Sequence, residues 1–331
     1  MTRARILSGM QASGLLHIGN YHGALENWVK LQDEYECFYF IADWHALTTL
    51  FNEPGKVREY TREIAIDFLA CGLDPERSTI FIQSDVLQHA ELSVILGMIT
   101  PVPWLERVPS YKDKKKELSG KDLSSHGFLG YPVLQAADIA IYRAAYVPVG
   151  EDQLPHLELT REIVRRFNHL YGATLVEPKE IVTPTAALPG LDGRKMSKSY
   201  DNAVYLSDDD ETVRKKFKNA ITDPQRQRRK DPGRPEVCNI HTYHKIYSSK
   251  VRVAEIEEQC RTAGIGCVDC KKELIEKFFE CFAEIRQKRA QLSADPGRVR
   301  KILDHGAARA REAAEETMKL VRQAASMGWS P

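Results

Sequence analysis

Four groups of residues in this chain have the types and spacing to do chemistry. The first lies in Gly9 to Leu25, GMQASGLLHIGNYHGAL, where a glycine-rich turn meets the start of a helix. Glycine lets a backbone approach a ligand closely, and the free N–H groups of a helix start favour anions. His17 and Asn20 stand at that start, so on spacing alone this is a phosphate-approach turn. It is neither a Walker loop nor GxGxxG. The second group is Lys195-Met-Ser-Lys-Ser199, which closes a turn-rich loop from Leu188. Lys195 and Lys198, with Ser197 and Ser199, make a flexible donor cluster suited to a triphosphate; the alternative is a solvated basic loop. The third is Tyr131-Pro-Val-Leu-Gln-Ala-Ala-Asp138, where Tyr131, Gln135 and Asp138 share one face of an otherwise apolar helix. A lone Asp there is costly to bury, so it pairs with a neighbour such as Arg143 or meets a ligand. The fourth is Cys238, Cys260, Cys267 and Cys270, with gaps of 21, six and two residues. Cys-x2-Cys closing such a set is a metal-site spacing, open to zinc, to an iron–sulfur cluster or to no metal at all.

The elements that must position these groups read as a doubly wound α/β fold. Strands are predicted at Arg5–Ser8, Cys37–Ala42, Ser78–Gln83 and Ala145–Val149, each short, apolar and β-prone. Helices are predicted at about 21–34, 54–71 and 85–99, from near Pro132 as a first-turn proline, and after Gly150-Glu-Asp-Gln153, with Asp152 as cap. Strand, turn, helix, strand is a βαβ unit, which favours a parallel sheet with its ligand beyond the strands' carboxyl ends. Asp43 and His45 fall on that side, either facing the ligand or serving as a helix cap and a packed imidazole. Ser207 is expected to cap an acidic first turn and open a helix at 212–220. From there a second, all-helical domain is expected, giving domains 1–206 and 207–331. The last two helices, at about 271–291 and 295–327, are amphipathic, and the last one could pack back on the first domain.

Bulk properties bound the reading. The 331 residues fit about two domains, 43% are hydrophobic, and the charges nearly cancel at +1. Any nucleic-acid surface must therefore be a local patch, and Asp223 to Arg234, with five Arg or Lys in twelve residues, is either that patch or a solvated loop. No leader-like apolar core opens the chain, and no stretch reaches the ~18 apolar residues of a membrane helix. A soluble cytoplasmic protein without membrane contact is expected. Seven cysteines then argue for metal or thiol chemistry before disulfides. Cys37, Cys71 and Cys281 read as core residues.

HIGN after Gln-Ala-Ser-Gly, followed about 180 residues later by KMSKS, resembles the paired signatures of class I aminoacyl-tRNA synthetases. GEDQ at Gly150–Gln153, then His156 and Glu158-Leu-Thr-Arg161, is similar to the bacterial-type tryptophanyl-tRNA synthetases. The resemblance covers nearly the whole chain. It implies a Rossmann-like catalytic domain with a helical anticodon-binding domain, activation of L-tryptophan by ATP with Mg²⁺, and transfer to tRNA(Trp). It implies catalytic roles for His17, Asn20, Lys195, Lys198 and Lys114, the last in the lysine-rich stretch 111–121, where Lys112 is the other candidate and a solvated loop the alternative. ATP would be met by Gln11, Ala12, Ser13, Gly19, Asn20, Gly150, Glu151, Asp152, Leu188 and residues Lys195 to Ser199 (Met196 included). Tryptophan would be met by Asp138, through its indole N–H, and by Tyr131, Gln135, Gln153, Leu7 and His45. Some members carry a four-cysteine [4Fe-4S] site with nearly the spacing seen here, which tilts the cysteine reading toward that cluster over Zn²⁺. The family is dimeric, so a homodimer is expected. Archaeal-type tyrosyl enzymes share the Tyr-Pro, Gln, Asp pattern, but GEDQ and Gln-Ala-Ser-Gly argue against tyrosine. Intact His17, Lys195 and Lys198 argue against a paralog that only binds RNA.

Overall fold

The computed structural model describes residues 3–108, 125–182 and 188–328. The strands are β1 (Arg5–Gln11), β2 (Glu36–Ala42), β3 (Ser78–Ile82), β4 (Tyr146–Val149) and β5 (Lys179–Val182). Helices of eight or more residues are α1 (Asp43–Leu50), α2 (Pro54–Ala70), α3 (Gln88–Ile99), α4 (His126–Ile141), α5 (Leu154–Tyr171), α6 (Asp210–Asn219), α7 (Asn239–Tyr247), α8 (Lys250–Arg261), α9 (Cys267–Ala294) and α10 (Pro296–Ala324). By backbone contacts the chain forms two compact units. One is Met1–Leu15, Ala24–Thr185 and Leu292–Pro331; the other is Leu16–Gly23 and Ala186–Gln291. This division differs from a linear boundary at residue 206: the HIGN turn and the KMSKS segment fall in the second unit, with the helices from α6 onward.

The first unit is built on a five-stranded sheet of order β3-β2-β1-β4-β5, parallel throughout. β2 and β3 are almost wholly buried, which is why their sequences run apolar without alternation. The strand order turns outward on both sides of β1, so a switch point lies between β1 and β4. α10 closes the other side of β3. It can do so because Gly306 has no Cβ: one would stand 1.8 Å from the Ile80 carbonyl oxygen. Phe38, Phe40, Phe81, Tyr142 and Phe167 form the aromatic part of a core shared with Ala307, Ala310 and Met318 of α10. Among the described residues no helix is long and apolar enough to cross a membrane.

Several local expectations need correction. α4 starts at His126, with the Ser125 side chain accepting from the Phe128 N–H, so Pro132 lies inside the helix and not in its first turn. A good cap outweighed the proline, whose cost is one missing N–H. Asp152 does not cap α5; it accepts from the Gln153 side chain at 3.3 Å, and Gln153 holds the cap position without a side-chain bond. The cap of α6 is Asp209, which accepts from the Thr212 N–H, and not Ser207. Cys281 is exposed, unlike the buried Cys37 and Cys71. The outward face of α9 carries it, and apolar residue type alone does not tell the faces apart. The weakly apolar β5, α7 and α8 gave no clear pattern in advance.

Candidate active site

At the carboxyl edge of the sheet, the ends of β1, β2, β3 and β4 present Gln11, Asp43, Gln83 and Gly150 in turn. Asp43 begins α1 and accepts from the Ser84 backbone N–H at 3.0 Å and from the Ser84 hydroxyl, tying β2 to β3. Burial pushes its carboxyl up. Gln11 donates to the His45 carbonyl at 2.7 Å, fixing the first turn of α1. Behind this edge lies Asp138 on α4, 1% exposed. Its Oδ1 accepts from Gln83 Nε2 at 2.8 Å and from His89 Nδ1 at 2.6 Å, and its Oδ2 lies 2.8 Å from His45 Nε2. Tyr142 completes the chain, its hydroxyl 2.7 Å from His89 Nε2. Arg143 is not the partner of Asp138. Burial works to raise the Asp138 pKa, but the hydrogen bonds from His45 and His89 outweigh it and hold the carboxyl at about 2. A carboxylate has about four acceptor positions; three are used here, and the remaining one is on Oδ2. The Oε1 of the fully buried Gln83 has no partner among the described residues. Gln135 stands three residues before Asp138, half-buried. Tyr131 is buried with its hydroxyl 3.4 Å from His156 Nε2, and Leu7 is buried in the core cluster. Glu151, Asp152 and Gln153 are exposed, and Ala12 is buried.

In the second unit HIGN and KMSKS come together. His17 Nδ1 accepts from the Asn20 N–H at 3.2 Å while Asn20 Oδ1 accepts from the His17 N–H at 3.0 Å, a reciprocal cap. Burial, and then the charge of Lys198, lower the His17 pKa to about 4, so the ring is neutral near pH 7 and accepts at Nδ1. The turn is paired with the segment after KMSKS: the Ile18 N–H donates to the Val204 carbonyl at 3.0 Å and the Leu206 N–H to the Leu16 carbonyl at 2.9 Å. A Cβ built on Gly19 would come 3.5 Å from the Met196 sulfur. The KMSKS segment is one arm of a tight hairpin, with Pro189 bridged to Lys195 and Gly193 at φ +81 in its turn. Asn202, 3% exposed, locks it. Its Oδ1 accepts from the Ser197 N–H at 2.9 Å, and its Nδ2 donates to the Lys195 carbonyl at 3.1 Å and to Asp192 at 2.7 Å. Lys195 is exposed, Lys198 half-buried, and Leu188 buried. The backbone is thus fixed while the Lys195 head group stays at the surface. Lys112 and Lys114 lie outside the described residues.

The four cysteines also come together in this unit. Cys238, Cys260, Cys267 and Cys270 line one small cavity with Thr222, Arg226 and His241. Arg226 Nη1 points at Cys260 Sγ from 3.7 Å. Cys238 and Cys267 sit at the starts of α7 and α9, where helix N–H groups favour anionic sulfur. Burial, then the neighbouring sulfurs, push the Cys270 thiol up to about 12. Among the described residues, no three or more His, Cys, Asp or Glu side chains form a group able to hold one metal ion.

Residues 1–283 match the model of the class I tRNA synthetases for W and Y. The chain belongs to this family. The synthetase is 52% identical over 325 residues to a tryptophan–tRNA ligase of Thermotoga maritima, covering 98% of this chain and 99% of the relative. It is 43% identical to the tryptophan–tRNA ligase of Aquifex aeolicus, covering 98% and 100%. Its fold superposes with a TM-score of 0.91 on the tryptophanyl-tRNA synthetase of Campylobacter jejuni complexed with ADP and tryptophan, at 37% identity over 98% and 100% of the two chains. The parallel sheet and helical C-terminal part are those of a class I synthetase. Missing from the sequence reading were Gln83, His89 and Tyr142 around Asp138, and Asn202 at the hairpin. The cost of burying Asp138 was the one signal for the first set.

Proposed function

We infer that this chain is a tryptophan–tRNA ligase of the bacterial type. It activates L-tryptophan with ATP to tryptophanyl-adenylate and pyrophosphate and then loads the 3′ end of tRNA(Trp). What carries the reading is the HIGN turn held against the KMSKS hairpin, with Gly19 at Met196 and His17 in the field of Lys198. The reaction needs no enzyme nucleophile, because the tryptophan carboxylate attacks the α-phosphate and pyrophosphate leaves. Catalysis is then positioning plus charge on the phosphates. Lys195 and Lys198 supply that charge, with Lys114 and Mg²⁺. The neutral His17 and Asn20 supply hydrogen bonds. Gln11, Ala12, Ser13 and Gly150 to Asp152 are assigned to the adenosine side, with Leu188, Met196, Ser197 and Ser199 beside the lysines. The open acceptor position of Asp138 Oδ2 is assigned to the indole N–H, with His45 orienting it. Tyr131 and Gln153 are assigned to the amino group, Leu7 and Gln135 to the pocket wall. A site built around that acceptor discriminates against phenylalanine by leaving a buried polar group unpaired.

The four thiols are assigned to a [4Fe-4S] cluster. They line one cavity, Cys238 and Cys267 stand at helix starts, and Cys-x2-Cys closes the set, which is the support for a thiolate-held group. When bound, such a group would tie α7, α8 and α9 together. Protein purified without air should carry iron, sulfide and broad visible absorbance; colourless protein with stoichiometric zinc would reverse the assignment. The exposed Leu87, Val94, Met98 and Val102, at or near α3, support the homodimer. A tRNA-charging enzyme works with its tRNA, hence in the cytoplasm.

The test is amino-acid-dependent ATP–pyrophosphate exchange with tryptophan and tyrosine side by side. Exchange with tryptophan alone is expected. Exchange with tyrosine would overturn the assignment of Asp138, and exchange with neither would leave an RNA-binding relative.

A further inference from the structure

Three consecutive carbonyls at the root of the KMSKS hairpin are held from two directions. The Pro189 carbonyl accepts from the Tyr243 hydroxyl at 2.5 Å, the Gly190 carbonyl from Asn239 Nδ2 at 2.6 Å, and the Leu191 carbonyl from the Ile221 N–H at 2.9 Å. Asn239 and Tyr243 are four apart on α7 and nearly fully buried. Each holding segment steps directly into the wall of the cysteine cavity. Cys238 precedes Asn239 as the cap position of α7, and Thr222 follows Ile221. Lys271, next to Cys270, donates to the Ala220 carbonyl at 2.6 Å, bracing the same strand of chain from α9.

We propose that Asn239 and Tyr243 are positioning residues for the KMSKS hairpin, and that the cysteine site pins the helix that carries them. Loss of the Cys238 thiol then loosens the hairpin and leaves tryptophan binding unchanged. The physical reason is that a buried amide or hydroxyl bond fixes its acceptor only as well as its own backbone is fixed. α7 begins at Cys238 with no side-chain cap of its own. The catalytic consequence rests on the assignment of Lys195 and Lys198 to ATP.

The test is hydrogen–deuterium exchange of the hairpin peptides over 188–204 in the full-length protein purified without air. Wild type is compared with Asn239→Asp, Tyr243→Phe and Cys238→Ala, alanine being chosen because serine would add a helix cap at that position. Asn239→Asp keeps the shape and removes the donor; Tyr243→Phe keeps the packed ring and removes only the hydroxyl, which covers the case of a poorly folded Asn239 variant. Each should speed hairpin exchange by about tenfold, the factor one lost hydrogen bond allows. The KM for ATP should rise in parallel, and tryptophan affinity should stay at the wild-type value. Unchanged hairpin exchange in Tyr243→Phe and Cys238→Ala would overturn the proposal. Faster exchange with an unchanged KM for ATP would support the anchor and sink the assignment of the lysines to ATP. A loss of tryptophan affinity equal to the loss for ATP would overturn it as well, since that marks general unfolding.

Discussion

Two polar clusters in this chain are built on opposite plans. Around Asp138 the side chains themselves are buried and bonded to each other, with donors from α1, α3 and the end of β3. At the HIGN turn and KMSKS hairpin the backbone is bonded, by Asn202 and by the strand after it, while Lys195 is left at the surface. Under the proposed assignment, the difference follows from what each would recognise. A neutral N–H on a flat ring is distinguished only by a fixed acceptor in a dry place, and that acceptor must be satisfied before the ligand arrives. A triphosphate is multiply charged, and cations on long side chains can follow it as its charge shifts. The first cluster is therefore expected to govern affinity and stability, and the second to govern rate.

The hardest test of that split is Lys195→Ala. Removing one cation from the phosphate end should lower the exchange rate by about 10²- to 10³-fold. Tryptophan affinity, followed by equilibrium binding without ATP, should stay within about twofold, because a cation assigned to the phosphates has no part in recognising an indole N–H. An exchange rate near wild type would remove Lys195 from the mechanism.

Asp138→Ala should do the reverse and less to the chemistry. It leaves two imidazoles and a glutamine amide facing an empty site, and breaking such a buried network costs about 3–5 kcal/mol of stability. Tryptophan affinity should fall about tenfold or more, since one charged-group hydrogen bond contributes about 1.5–3 kcal/mol. Urea unfolding and tryptophan binding on the same sample separate the two effects. Lost stability with native affinity would make Asp138 purely structural and collapse the contrast.

The two clusters were also unequally legible in the sequence, for the same physical reason. HIGN and KMSKS are each closed within a few residues, so spacing alone exposes their chemistry. His17 and Asn20 even make their reciprocal bonds inside one turn. The partners of Asp138 come from 49 and 55 residues away at His89 and Gln83, and from 93 at His45. No local pattern marks them, and only the cost of a buried charge said that partners must exist. Strands β2 and β3 were legible because buried parallel strands are plainly apolar, and β1 because a glycine-rich turn and a helix start follow it. β5 was not, since its residues are mostly exposed. Pro132 misled the start of α4 because the Ser125 cap seven residues earlier decided it. Asn202 and Asn239 are ordinary polar residues in sequence, and only the fold turns their amides on the hairpin.

Acid should sharpen the comparison with the smallest effect. His17 is held near 4 by burial and then by Lys198, below the ordinary 6.5. The unfolded chain therefore binds a proton below pH 6.5 that the folded chain does not, and stability falls as pH drops from 6.5 toward 4. At pH 5.5 that amounts to about 1 kcal/mol. The Asp138 carboxyl is also lowered, to about 2 from the ordinary 3.8, but in a carboxyl this favours the charged form. Its contribution is complete above 3.8 and is lost only as pH falls through 3.8 toward 2. The phosphate-end turn should thus soften first. His241 and His244, also lowered by burial, share the upper window, so the His17 part must be read as a difference. His17→Gln keeps an acceptor for the Asn20 N–H and removes the titration. Its stability between pH 6.5 and 5.5 should decline less than that of wild type by about 1 kcal/mol, measured by urea unfolding at each pH. Parallel curves would mean that the imidazole is charged in the folded turn, and that the proposed role of His17 as a neutral hydrogen-bonding ring must be replaced by that of a cation.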